Sequence, residues 1–205
     1  ANVTINFTID TQPYGSTTIS IWSQTPSKER QAINYFFIIS KIIFISPKSG
    51  EIEWTRVTVI GDGYGATEQV RIDFGTTVSI AFATTNACGI FSTYFTVDTQ
   101  PATWLEGTLW GSKTVTALGV PSGGSYAVTY KIIGRIAIVS PSHGSVGTVV
   151  TIFGDGYGSD AGQGEQMKFK FGSKTWEGNN IYATTQGTYS YTFSNFGIQP
   201  GGSTT

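Results

Sequence analysis

The chain has 205 residues, with 12 Lys plus Arg against 13 Asp plus Glu, and charged residues make up only 12%. That is about half the share usual for a soluble domain, and it leaves no basic field for nucleic acid or an anionic membrane surface. The longest apolar stretch, 33–45, is interrupted by Asn34, Ser40 and Lys41, so nothing approaches the ~20 apolar residues of a membrane span. Cys88 is the only cysteine, which excludes a disulfide framework within the chain.

Short stretches rich in Thr, Val, Ile, Tyr and Phe, punctuated by Gly, Pro, Ser and Asp, predict an all-β chain. The first is 1–9, where Val3, Ile5, Phe7 and Ile9 alternate with Asn2, Thr4, Asn6 and Thr8. Period two puts the four apolar side chains on one face. Further strands are expected at 17–22, 35–44, 56–61, 70–74, 93–97, 114–117, 127–133, 149–153, 168–171 and 189–193. Many short strands at this spacing indicate a sandwich or barrel.

An internal repeat orders them. Ile45-Ser-Pro-Lys-Ser-Gly50 matches Val139-Ser-Pro-Ser-His-Gly144, and Val57-Thr-Val-Ile-Gly-Asp-Gly-Tyr-Gly65 matches Val150-Thr-Ile-Phe-Gly-Asp-Gly-Tyr-Gly158. Ala83-Thr-Thr85 matches Ala183-Thr-Thr185, and Gly89…Phe95 matches Gly187…Phe193. A unit of ~95 residues is the size of one immunoglobulin-like sandwich. The opening Ser-Pro-x-x-Gly, the Val-Thr-Val strand, the Gly-x-Gly-Tyr turn and the closing Phe74-Gly75 and Phe171-Gly172 resemble the IPT/TIG group of immunoglobulin-like domains. That resemblance implies two sandwiches in tandem and says little about function.

The repeat is out of phase with the chain. Phe7-Thr-Ile-Asp-Thr-Gln-Pro13 reproduces Phe95-Thr-Val-Asp-Thr-Gln-Pro101, the closing part of the full unit. The second unit reaches Gln199-Pro200 and then ends. The expected organisation is an N-terminal donor strand at 1–12, a first sandwich at 13–134, and an incomplete second sandwich, the acceptor, at 135–205. A tail from one copy then completes the head of another, a head-to-tail arrangement that propagates into a filament unless it closes. Burial of Val3, Ile5, Phe7 and Ile9 in a partner contributes ~6–12 kcal/mol before ordering costs. The acceptor groove is expected between the strands ending at Phe171 and Phe193. Two placements stay open, because strand 1–9 can also pair within its own chain and 13–40 can enlarge the complete unit.

Other features weigh less. Asn2-Val-Thr4 and Asn6-Phe-Thr8 are N-glycosylation sequons. The Gly-Asp-Gly-Tyr-Gly motifs read as hairpin turns using positive φ at Gly, since one Asp per loop is too few ligands for calcium. Nothing pairs His143, the only histidine, with Cys88 as base and nucleophile. Glu51 and Glu53 lie in a loop. Trp22, Trp54, Trp104, Trp110 and Trp176 are scattered, which suits core and interface packing better than a sugar platform. The expectation is therefore no enzyme, no cofactor and no metal.

Together the donor-like N-terminus, low charge and sequons resemble the thread surface filaments of thermoacidophilic archaea. That resemblance implies an extracellular, pilus-like homopolymer joined by donor strands, carrying N-linked glycans and serving adhesion or biofilm. A start at Ala1 fits a chain exported after signal-peptide removal. The alternative is an immunoglobulin-like binding module excised from a larger surface or carbohydrate-active protein.

Overall fold

A computed structural model describes residues 4–23, 31–100, 111–160, 163–172, 174–176 and 181–193. Every regular element among them is a strand, so the chain is all-β. In chain order these are β1 (Gly15–Trp22), β2 (Gln31–Ile38), β3 (Lys41–Ser46), β4 (Ser49–Gly50), β5 (Arg56–Asp62), β6 (Gln69–Phe74), β7 (Thr77–Thr84), β8 (Phe91–Thr96) and β9 (Ser112–Val120). They continue as β10 (Ser125–Ile132), β11 (Arg135–Ser140), β12 (Val150–Asp155), β13 (Ser159–Asp160), β14 (Gln163–Gly164), β15 (Phe169–Phe171), β16 (Lys174–Trp176) and β17 (Tyr189–Phe193).

Two compact units result, one of 1–46, 57–95 and 114–129, the other of 47–56, 96–113 and 130–205. The first holds the β1–β2 hairpin, the three-stranded sheet β3-β5-β8, and most of the five-stranded sheet β4-β10-β9-β6-β7. Alternation drives both large sheets: Val57 and Val59 on β5, and Val70, Ile72 and Phe74 on β6, point inward and are fully buried. Apolar rows on two facing sheets are what a sandwich core requires.

The second unit repeats this plan. Its sheet β11-β12-β17 is the counterpart of β3-β5-β8, and both opening strands slip register one residue after Ile42 and Ile136. The two-stranded sheet β15-β16 is the counterpart of β6-β7, with Phe171 opposite Lys174 as Phe74 is opposite Thr77. Its core is a cluster of Ile152, Met167, Phe169, Ala183, Tyr189 and Phe193. Between Gly158 and Glu165 the chain adds a small ribbon, β13-β14, that pairs Ser159 with Gly164.

Several expectations are corrected here. The Gly-Asp-Gly-Tyr-Gly motif is not a hairpin, because β5 and β6 belong to different sheets and the motif carries the chain across. Gly63 and Gly156 do have positive φ, at 67° and 79°. A Cβ there would collide with the carbonyl oxygens of Ile39 and Ile133, so the turn and the close approach both demand glycine. The single strand expected over 35–44 is two, broken at Ser40, whose buried hydroxyl donates to Gly63 O at 3.0 Å. Residues 4–13 form no strand in their own chain. The Ala-Thr-Thr match slips by two residues: Thr85 N–H donates to Glu68 O and Ala183 N–H donates to Glu165 O, each at 2.9 Å, so Ala183 is the counterpart of Thr85.

Candidate functional site

Of the expected donor face, Ile5 is 68% exposed, Phe7 61% and Ile9 40%. Val3 and Asn2 lie outside the described residues. Thr4, Asn6 and Thr8 are exposed as well, so this segment hides neither face. Its anchor is the residue where it ends: Tyr14 N–H donates to Tyr64 O at 2.8 Å, and the Tyr14 ring meets Phe37 edge-on at 5.2 Å. Beyond that anchor the β1–β2 hairpin adds Ile21, Trp22, Ile33, Tyr35, Phe36 and Phe37 to the exposed apolar surface. An isolated two-stranded ribbon is marginal in water, and large contiguous apolar patches are uncommon on the surface of monomeric domains.

In the second unit, Phe169 meets Tyr189 at 5.5 Å, stacks on Tyr191 at 5.4 Å and meets Phe193 edge-on at 5.3 Å. These rings fill the space between β15 and β17. The groove expected there is therefore occupied by the unit's own side chains, because the two strands belong to different sheets and face each other across the core.

No protein-family model, curated protein or solved structure matches the chain.

A buried ion pair in this unit was not evident from the sequence. Arg135 donates through Nε to Asp155 Oδ1 at 2.9 Å and through Nη2 to Oδ2 at 2.8 Å, with both side chains buried. Glu53 lies 3.7 Å away and the Trp54 ring 5.8 Å away. The hydrogen bond to Asp155 raises the guanidinium pKa against the opposing effect of burial. Its signal is in the repeat, since Lys41 sits opposite Asp62 on β3-β5 as Arg135 sits opposite Asp155 on β11-β12.

The remaining candidates stay apart. Cys88 is exposed in a turn, where its N–H donates to Asn86 Oδ1 at 2.9 Å. His143 Nδ1 lies 3.3 Å from Ser142 Oγ on the surface. Glu51 and Glu53 are exposed, the latter at φ 64°. Trp22 and Trp54 are exposed rather than in a core, and Trp104 and Trp110 lie outside the described residues. Among the described residues no three His, Cys, Asp or Glu side chains are grouped to hold a metal ion. Among the described residues no helix is long and apolar enough to cross a membrane.

Proposed function

We propose that the chain is the structural subunit of an extracellular, pilus-like surface filament. In this reading the N-terminal segment of one copy, with Val3, Ile5, Phe7 and Ile9 inward, enters the second unit of the next. The observation that carries it is the exposed row Ile5, Phe7 and Ile9, apolar at period two and without a strand partner among the described residues of its own chain. A period-two apolar strand is stable in water only when one face is covered, and strand addition to a partner covers it while supplying a hydrogen-bond ladder.

The recurrence of a three-stranded sheet with a second sheet in both units supports two tandem immunoglobulin-like sandwiches of the IPT/TIG kind. The sequons at Asn2 and Asn6 fit glycans on the outward face of the inserted strand, and adhesion or biofilm is the role such a filament serves. The reading gives the chain no catalytic step.

The test is negative-stain microscopy with unboiled, non-reducing electrophoresis, on the full chain and on one lacking residues 1–9. Long filaments from the first and none from the second are expected. A compact monomer from both would overturn the proposal and leave a binding module as the better reading.

A further inference from the structure

We infer that the β1–β2 hairpin, beyond the strand that precedes it, is the piece that completes the β15-β16 sheet in a second copy of the chain. This rests on the head-to-tail assembly proposed above and names its acceptor edge.

The hairpin is a second copy of β9–β10. Gly15-Ser-Thr-Thr-Ile-Ser20 aligns with Gly111-Ser-Lys-Thr-Val-Thr116 at an offset of 96 (111 − 15), and β2 aligns with β10 at an offset of 94 (132 − 38). Gly15 opens β1 and Gly111 immediately precedes β9, both at positive φ, 121° and 73°. The pairing agrees as well: Gly15 lies opposite Ile38, and Ile132 N–H donates to Gly111 O at 2.8 Å. Sequence, turn entry and register therefore all equate β1 with β9.

In the first unit β9 has a defined place, on the edge of β6 away from β7, with Ile72 opposite Ala117, Asp73 opposite Thr116 and Phe74 opposite Val115. In the second unit β15 has its β7 counterpart, β16, and no other strand beside it among the described residues. Burial follows the same division. Val115, Ala117 and Tyr130 are fully buried, whereas Ile19 is half-buried and the counterparts of the other two, Ile21 and Phe36, are 61% and 41% exposed. The turn between β9 and β10 also donates Ser122 N–H and Oγ to the buried Glu68 carboxylate at 3.0 and 2.8 Å. Its counterpart Glu165 is half-exposed and accepts from Gly158 N–H at 3.0 Å. An apolar hairpin that joins no larger sheet and a sheet with no such hairpin beside it, among the described residues, are complementary parts, and two copies of the chain bring them together.

Transferring the first unit's register places Ile19 opposite Phe171, Ser20 opposite Lys170 and Ile21 opposite Phe169. The experiment uses the full chain with Cys88→Ser, Ser20→Cys and Lys170→Cys, assembled under reducing conditions and then mildly oxidised. The expected result is filaments that yield a disulfide-linked ladder on a denaturing, non-reducing gel. The same ladder should be several-fold weaker when Thr18→Cys, two residues out of register, replaces Ser20→Cys. On the unmodified chain, hydrogen exchange at β1 and at Phe169–Phe171 should slow by at least tenfold on assembly. Filaments without a ladder and without that protection would overturn the hairpin's placement while leaving the filament intact. A disulfide closed within one chain, or equal ladders from both cysteine pairs, would overturn it too. Absence of both filaments and protection would overturn this inference together with the assembly it rests on.

Discussion

Replacing Phe7 by Asp should raise the critical concentration for assembly by at least ~30-fold. Full burial of a large apolar side chain is worth ~1.5–3 kcal/mol, and Phe7 is 61% exposed in the single chain, so about 1–2 kcal/mol is still to be gained there. A carboxylate forced into the same position also loses its water without a partner, adding at least ~1–3 kcal/mol. The combined ~2–5 kcal/mol converts at tenfold per ~1.4 kcal/mol. By the same reasoning Ile5, Phe7 and Ile9 together gain about 2.5–5 kcal/mol on burial. That is below the ~6–12 kcal/mol of four fully buried side chains, because Val3 is not counted and each of these three is already partly covered in its own chain. The assay is sedimentation of polymer across a concentration series, with Thr8→Asp on the opposite face as the matched control and thermal unfolding of the monomer alongside. Thr8→Asp should shift assembly by less than about threefold, and neither variant should lower the monomer's melting temperature. Equal effects of Phe7→Asp and Thr8→Asp, or none from either, would refute an inward-facing odd row.

Three further outcomes are expected. Arg135→Met leaves the Asp155 carboxylate buried without its bidentate partner, and should cost about 3–5 kcal/mol in urea denaturation, whereas Glu53→Gln, which removes an exposed partner 3.7 Å away, should cost less than ~1 kcal/mol. Burial pushes the Tyr130 phenol from 10.0 up to about 12 and also raises Tyr64, Tyr157 and Tyr189. Because the fold favours the neutral phenol, this stability is fully present below pH 10 and is lost as pH rises through the folded value; tyrosinate absorbance and circular dichroism should therefore change together between pH 10 and about 12. Gly154→Ala drives a Cβ into the Tyr189 ring and the Arg135 carbonyl oxygen, and should destabilise by about 1–3 kcal/mol, lowering the urea midpoint without changing the slope.

Strands with one buried face were readable from the sequence: β5, β6 and β17 alternate cleanly, and Gly63 and Gly156 mark the positive-φ turns that follow β5 and β12. The misreadings have a common source in contacts that local pattern does not encode. Ser40 interrupts an apolar run without marking a strand end locally, and its bond to the distant Gly63 O lies where β2 gives way to β3. Tyr64 sits in a motif that reads as a surface turn, yet it is fully buried, with its hydroxyl 3.4 Å from Ala117 O on another strand. β7 has strong β-formers but little burial alternation, since it is the edge strand of its sheet. Arg135 and Asp155 are 20 residues apart, and only the β11-β12 register makes them neighbours. At the candidate interface the apolar row over 5–9 was legible, but the hairpin's significance depended on seeing β9 placed on β6.

The β13-β14 ribbon is an insertion experiment already performed within one molecule. Gly65 and Glu68 are separated by two residues in the first unit and their counterparts Gly158 and Glu165 by six, yet each glutamate still accepts a hydrogen bond from its glycine's N–H. Loop-closure entropy grows only slowly with length, so the extra residues are accommodated without disturbing the strands on either side. The stretch between Gly65 and Glu68 is accordingly a permissive position, where a short epitope or a labelling peptide of four residues can be carried with the fold unchanged.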